Sequence, residues 1–125
     1  MKALILIAHG SRREASNDAV VSLSEIVAQD MQHEYSIVRA GFLELARPSI
    51  PDVIDDCVEL GATEVVVIPY FLSAGRHVFE DVPGEVEKAQ AVHVDIPMII
   101  TPHIGGSAKM KDLIREAAMD GGLSS

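Results

Sequence analysis

Short apolar runs rich in β-branched residues alternate along this chain with segments of helical periodicity, and this alternation is what most constrains its fold. The strand-like runs are Lys2–Ala8, Ser36–Phe42, Glu64–Ile68 and Pro97–Thr101. The helical segments that follow them are Glu14–Gln32, the stretch from Pro48 to Gly61, Glu80–Gln90 and the stretch from Ser107 to Met119. Such alternation predicts a doubly wound α/β fold, with a four-stranded parallel sheet, right-handed crossovers and helices on both faces. We expect residues 1–125 to form one domain.

Several details of the pattern make finer predictions. The third run is almost wholly β-branched, so we expect a central strand that is buried on both faces. Gly61 is expected to end the second helix, and Gly121-Gly122 the last one. Cys57 falls on the apolar side of the second helix and is interpreted as a small buried hydrophobe. The apolar face predicted for the last helix consists of Met110, Leu113, Ile114, Ala117 and Ala118.

Two histidines follow strands at the edge where such folds bind ligands. His9 comes directly after the first strand, and His77 ends the loop after the third strand. If the strand order is 2-1-3-4, strand order reverses between the first and third strands, and ligands bind at that crevice. Imidazole suits transition-metal binding and proton transfer near neutral pH. The alternative for His9 is that it only caps a backbone carbonyl.

Glu44, after the second strand, is the carboxylate that can complete this site. Two imidazoles and one carboxylate can form a weak, open site for a divalent ion, or accept protons from a bound substrate. The alternative is that Glu44 only pairs with Arg47 or Arg13. Among the other histidines, His103 follows the fourth strand and is a weaker candidate, whereas His33 and His93 are expected to be solvated.

The charges favour an anionic small molecule as the ligand. The net charge is −9, which argues against nucleic acid because phosphate binding needs a basic face. The arginines nevertheless concentrate after the strands, at Arg12, Arg13, Arg47 and Arg76. Arginines on one edge of an acidic protein suit an anionic ligand there, although arginines also favour loops in general. Gly105-Gly106-Ser107 can bind an anion before a helix, but a turn followed by a helix cap is the favoured interpretation.

The sequence lacks the motifs that several classes of protein require. No Gly-x-Gly-x-x-Gly follows the first strand and no Gly-x-x-x-x-Gly-Lys-Ser/Thr is present, which argues against nucleotide cofactors and ATP coupling. There is no serine nucleophile elbow, and the one cysteine lies within a helix. No apolar run approaches the roughly 20 residues of a membrane helix, and no signal peptide is visible. We therefore expect a cytoplasmic protein without a membrane partner.

Three segments resemble the short-form sirohydrochlorin chelatases, the CbiX-like members of the class II tetrapyrrole chelatases. The first is Leu6-Ile7-Ala8-His9-Gly10-Ser11-Arg12, and the second is Phe42-Leu43-Glu44 with Pro48-Ser49-Ile50. The third, and most specific, runs from Val67 through Pro69-Tyr70-Phe71-Leu72-Ser73-Ala74-Gly75-Arg76-His77 to Val78, with Asp81-Val82-Pro83 after it. The chain departs from the family after the fourth strand, where Pro102-His103-Ile104 replaces a common Pro-Leu-Gly pattern, and it lacks the histidine-rich tract of some members.

The resemblance implies ATP-independent insertion of a divalent metal, cobalt before nickel or iron, into sirohydrochlorin for cobalamin- or siroheme-type tetrapyrroles. It implies that the metal is a substrate and that no cofactor is bound permanently. His9 and His77 would handle the metal, with Glu44 as the acidic residue. The resemblance also implies a homodimer, since longer relatives contain two such lobes. The substrate contacts it implies are Ser11, Arg12, Arg47, Tyr70, Phe71, Leu72, Ser73, Ala74, Gly75 and Arg76.

Three alternatives remain open at this point. A phosphocarrier domain of mannose-type sugar transport is also a small, dimeric, doubly wound domain with a histidine after its first strand, but it does not need His77 or the Arg76 loop. Histidine phosphatases share a His-Gly pair, yet they place an arginine just before it, where this chain has Ala8. A non-catalytic metal or tetrapyrrole carrier would use the same residues as the chelatase.

Overall fold

A computed structural model of the chain describes residues 1–73 and 75–124, without the side chains of His77 and residues 121–124. Its strands are β1 (Lys2–Ala8), β2 (Ile37–Phe42), β3 (Glu64–Pro69) and β4 (Met98–Ile100). Its α-helices are α1 (Glu14–Asp30), α2 (Ile50–Glu59), α3 (Val82–Val92) and α4 (Met110–Ser124). A π-helical turn at His77–Asp81 precedes α3, and a 3₁₀ turn at Ile104–Gly106 precedes α4.

The sheet has the predicted parallel topology. Its strand order is β2-β1-β3-β4, and all pairings are parallel. The register places Ile7 of β1 opposite Gly41 of β2 and Pro69 of β3. The carboxyl ends of β1, β2 and β3 therefore lie side by side, and strand order reverses between β1 and β3 as expected.

The main core lies between one face of the sheet and the helices α2 and α3. Alternate residues of β1 and β3 contribute Ile5, Ile7, Val65 and Val67, which pack with Ile54 and its neighbours. The remaining members from the two helices are Ile50, Val53, Cys57, Val82, Val86 and Ala89. On the opposite face, α1 packs against β1 and β2.

Two burial predictions are wrong. The β3 residues Val66 and Ile68 are only half-buried, because α1 covers β1 and β2 rather than β3 on their face of the sheet. The predicted apolar face of α4 is also largely open, with Leu113 and Ile114 exposed. Local periodicity indicates which side chains share a face, but it does not determine whether another element covers that face.

The helix ends follow local chemistry in most cases. Ser49 Oγ accepts a hydrogen bond of 3.3 Å from Asp52 N at the start of α2, and Gly61 follows the end of that helix with φ +105. Ser107 Oγ accepts from Lys109 N at 3.1 Å, which confirms the predicted turn, but α4 begins at Met110 and Ser107 is not its cap. The prediction that Gly121-Gly122 ends α4 is wrong, since the helix continues to Ser124.

The predicted burial of Cys57 is confirmed, whereas the predicted exposure of His93 is wrong. Cys57 is fully buried, as predicted, and burial raises the pKa of its thiol to about 11. His93 was predicted to be solvated, which is wrong: its side chain is only 19% exposed, and its Nε2 lies 2.6 Å from Asp55 Oδ1. This contact joins the C-terminal end of α3 to α2. None of the helices in the described residues is long and apolar enough to cross a membrane.

Candidate active site

His9 lies at the centre of the carboxyl edge of the sheet, between the loops that follow β2 and β3. Leu43 N donates to Ala8 O at 2.9 Å, and Glu44 N donates to His9 O at 3.0 Å, so the β1–β2 ladder continues past both strands. On the other side, Tyr70 N donates to Ile7 O at 2.7 Å. The imidazole therefore lies where strand order reverses, as predicted. The backbone before it is hydrogen-bonded to the loops after β2 and β3.

The imidazole of His9 is hydrogen-bonded to Glu44. His9 Nε2 lies 2.9 Å from Glu44 Oε2, and the two side chains are 40% and 52% exposed. An ionised carboxylate can only accept, so Nε2 carries the proton and, in neutral imidazole, Nδ1 carries the lone pair. A carboxylate behind a histidine in this way is the usual means of orienting a metal-binding imidazole. Glu44 thus pairs with His9, and no ion pair with Arg47 or Arg13 is seen among the described residues.

Gly10 makes this pairing possible. Its φ is +97, a conformation that L side chains rarely adopt. A Cβ atom at this position would lie 1.7 Å from the carbonyl oxygen of Glu44. The loops after β1 and β2 can therefore approach closely enough for the His9–Glu44 contact only when residue 10 has no side chain.

Phe71 forms the other flank of His9. The two rings meet edge to face, with centroids 6.4 Å apart and planes at 67°. Phe71 is half-buried against the main core and also lines a cavity of about 200 Å³, so its predicted contact with substrate stays a prediction. Gly105 holds this loop from the β4 side: Gly105 N donates to Phe71 O at 2.9 Å, and a Cβ at Gly105 would lie 1.7 Å from Leu72 O.

The predicted arginines differ in their surroundings. Arg12, Arg13 and Arg47 are exposed and have no ion-pair partner among the described residues, which leaves their guanidinium groups available to an anion. Arg76 Nε lies 3.8 Å from Glu80 Oε2, in a pair whose side chains are 82% and 68% exposed. Such an exposed ion pair contributes little to stability, so Arg76 can exchange Glu80 for a carboxylate of a ligand.

The remaining predicted substrate residues lie in the loops beside His9. Ser11 Oγ accepts a hydrogen bond of 3.0 Å from Arg13 N, which leads into α1. Tyr70, Leu72, Ser73 and Gly75 are exposed. Ala74 and the side chain of His77 lie outside the described residues, so the roles predicted for them stay predictions. The backbone at His77 begins the π-helical turn that leads into α3.

Several cavities adjoin this edge, and one of about 200 Å³ is lined by Tyr70, Phe71, Leu72 and Ile104. One of about 290 Å³ lies beside Glu44 and is lined by three further carboxylates, Glu80, Asp81 and Glu85, together with Lys88. Another of about 540 Å³ lies past the ends of β3 and β4, with His103 in its wall among apolar residues such as Phe79 and Ile100. Neither His9 nor Glu44 lines the larger cavity, whose wall contains His103.

Sequence reasoning missed two features of the site. Asn17 of α1 binds the main chain of Ser11, and its position one turn into a helix directly after the His9–Arg12 loop was the available signal. The carboxylates of the cavity beside Glu44, contributed by the π-helical turn and α3, had no local signal, because they meet Glu44 only in the folded chain.

The described residues supply a sparse donor set for a metal. No group of three or more His, Cys, Asp or Glu side chains among them could hold a metal ion. His9 supplies one donor and Glu44 orients it, and a site with so few protein ligands leaves positions for water or another ligand.

Comparisons with known proteins place the chain among characterised relatives. The family model CbiX matches residues 3–120. The chain is 37% identical over 114 residues to the chloroplastic sirohydrochlorin ferrochelatase of Arabidopsis thaliana, covering 90% of this chain and 49% of that protein. It is 37% identical over 83 residues to the sirohydrochlorin cobaltochelatase of Methanocaldococcus jannaschii, covering 66% of this chain and 57% of that protein. The chain thus spans about half the length of these two relatives.

A solved structure extends the agreement to the fold. The crystal structure of a cobalamin (vitamin B12) biosynthesis CbiX protein from Marinobacter aquaeolei VT8 superimposes with a TM-score of 0.81 at 26% identity, and the match covers 100% of both chains. The family model, these relatives and the shared fold all lead to one assignment. This chain belongs to the CbiX family.

Proposed function

We propose that this protein is a sirohydrochlorin chelatase, which inserts a divalent metal ion into the tetrapyrrole without ATP. The observation that carries the proposal is the 2.9 Å contact between His9 Nε2 and Glu44 Oε2 at the point where strand order reverses. The relatives named sirohydrochlorin ferrochelatase and cobaltochelatase support the substrate. Because one is named for iron and the other for cobalt, the physiological metal is part of the proposal, and we take cobalt first.

The arginines account for binding of the macrocycle. Sirohydrochlorin is flat and carries carboxylates around its rim. Arg12 and Arg47, which have no ion-pair partner among the described residues, can bind these carboxylates at the mouth of the site. Arg76 can exchange its exposed contact with Glu80 for a substrate carboxylate. Tyr70 and Leu72 are exposed and can press on one face of the ring.

The chemistry is an exchange of protons for a metal ion. The hydrated M²⁺ binds His9, with His77 as the second predicted imidazole, and loses water ligands as ring nitrogens replace them. Two pyrrole N–H protons leave as M²⁺ enters, so charge is balanced and no oxidant or reductant is needed. Glu44 orients His9 and can receive a proton that leaves the ring.

We further propose that the active form is a homodimer that works in the cytoplasm. Tyr70, Leu72 and Phe79 are 39%, 74% and 70% exposed at the carboxyl edge, where a second copy would cover them and supply the opposite wall of the cleft. The match to 49% of the Arabidopsis relative, which is the longer chain, supports a second wall supplied by another copy. The location needs its own test, because the Arabidopsis relative is named chloroplastic.

Visible absorbance tests the activity directly. Purified protein is incubated with sirohydrochlorin and Co²⁺, Ni²⁺ or Fe²⁺, and proton release is followed in parallel. Faster formation of the metal chelate than in protein-free controls is expected. Binding of the ring or the metal without acceleration would instead indicate a carrier, and phosphorylation of His9 by a phosphocarrier protein without chelation would indicate a transport domain.

Sedimentation at micromolar concentration tests the dimer. Leu72→Asp should dissociate it and lower activity, whereas Val94→Asp should not, because Val94 is 73% exposed before β4, at the opposite edge of the sheet. A monomer with full activity would contradict the dimer and leave the chelatase proposal intact.

A further inference from the structure

Asn17 forms a closed pair of hydrogen bonds with the main chain of Ser11. Its Oδ1 accepts from Ser11 N at 2.9 Å, and its Nδ2 donates to Ser11 O at 2.8 Å. Both contacts are partly buried. A side-chain amide is the group that can satisfy the donor and the acceptor of one residue together, because it carries one of each in a plane.

These two bonds act on a short loop with little other regular structure. The loop lies between the end of β1 at Ala8 and the start of α1 at Glu14. It turns at Gly10, where φ is +97, and Ser11 Oγ accepts from Arg13 N. Arg13 O in turn accepts from Ser16 N at 3.1 Å. Asn17 therefore connects the middle of the loop to the first turn of a long helix.

We propose that Asn17 is a positioning residue that holds the loop from His9 to Arg12 in the shape that binds the anionic rim of the tetrapyrrole. This inference rests on the proposed function. Arg12 is exposed and lacks an ion-pair partner among the described residues, so the direction of its side chain depends on how its backbone is held. A loop that is ordered before the substrate arrives loses less conformational entropy on binding.

Two substitutions separate hydrogen bonding from packing. Asn17→Ala removes both bonds, whereas Asn17→Asp keeps the shape but replaces the donor Nδ2 with an oxygen that faces Ser11 O. If only packing matters, Asp should be tolerated and Ala should not. If the paired hydrogen bonds matter, Asp should be at least as damaging as Ala. Asp18→Asn, an exposed change at the next position of α1, is the matched control.

The first readout is binding of metal-free sirohydrochlorin, followed by its absorbance or fluorescence. We expect both Asn17 variants to bind about tenfold more weakly or worse, which is the scale of a lost pair of hydrogen bonds. Asp18→Asn should bind with wild-type affinity. Steady-state kinetics should show a raised KM with kcat largely retained. Wild-type affinity in Asn17→Asp would overturn the proposal.

The second readout is amide hydrogen exchange, which does not depend on the activity. Peptides that cover Ser11 should exchange faster in both Asn17 variants, while β1 and α2 keep their protection and so confirm the fold. Unchanged exchange at Ser11 would show that the two hydrogen bonds from Asn17 do not hold the loop, and would overturn the proposal. If wild-type protein neither binds nor metallates sirohydrochlorin, the proposed function fails, and the exchange data still decide whether Asn17 holds the loop.

Discussion

The Nε2 atom of His9 lies 2.9 Å from Oε2 of Glu44, and this contact joins the loops after β1 and β2 across the carboxyl edge of the sheet. The residues are 35 positions apart in the chain, yet Glu44 N also donates to His9 O. Backbone and side-chain contacts with Glu44 therefore act together to orient the imidazole.

Replacing Glu44 should impair metal insertion by changing the orientation and tautomer of His9. We expect Glu44→Gln and Glu44→Ala to lower the rate with Co²⁺ by about 10- to 100-fold, the usual scale for a group that supports a metal ligand. Initial rates from the visible spectrum measure this. Glu25→Gln, at an exposed position of α1, should behave as wild type. Full rates in both Glu44 variants would remove Glu44 from the site.

The two predicted metal-handling histidines should each be required. His9→Ala and His77→Ala are expected to reduce chelation by about 10²-fold or more, because each removes a group that binds the ion or takes a proton. Circular dichroism should show that the fold survives. His33→Ala, an exposed histidine before β2, is the control. Wild-type rates for His77→Ala would remove His77 from the site and leave His9 as its imidazole.

Gly10→Ala should damage stability and activity together. The added Cβ would lie 1.7 Å from Glu44 O, on a backbone with φ +97. A strained position of this kind costs about 1–3 kcal/mol, which thermal unfolding would register as a lowered Tm. Gly84→Ala is the control for stability, since its Cβ would meet no atom within 4 Å. An unchanged Tm for Gly10→Ala would mean that the two loops can separate without cost.

Arg12→Ala should raise KM for sirohydrochlorin while kcat changes little, since Arg12 is assigned to binding of the rim. Added salt should weaken binding by the wild type in the same direction, because the attraction is between exposed charges. Lys111→Ala removes the same charge from an exposed position of α4 and should have no such effect. Binding that does not respond to salt would contradict the electrostatic assignment.

Cys57 should be inert in the native protein. Burial raises the pKa of its thiol from 9.0 to about 11, so the folded state favours the protonated form. The contribution of this thiol to the free energy of unfolding is fully present below about pH 9. It is lost as pH rises through about 11, because the thiol of the unfolded chain ionises first. Iodoacetamide labelling at pH 8 should therefore require denaturant. Rapid labelling of native protein would show that the α2 face opens readily.

Local pattern determined the architecture of this protein. The β-branched runs and helical periods predicted the elements nearly to their ends, and their alternation predicted a parallel sheet, whose observed order β2-β1-β3-β4 is the one that the site hypothesis assumed. The position of His9 after β1 was enough to place it at the reversal point. These features depend on side chains a few residues apart and on the handedness of crossovers, and both can be deduced from sequence.

Tertiary structure decided which groups meet. The choice of Glu44 as the partner of His9 and the need for Gly10 beside the Glu44 carbonyl depend on a close approach between the loops after β1 and β2. The hydrogen bonds between Asn17 and Ser11 depend on how the loop after β1 folds against the start of α1. The half-burial of Val66 and the open face of α4 depend on where α1 and α4 lie. Periodicity specifies the face of an element, whereas contacts of a few ångströms arise only when the elements pack, and they determine the chemistry of the site.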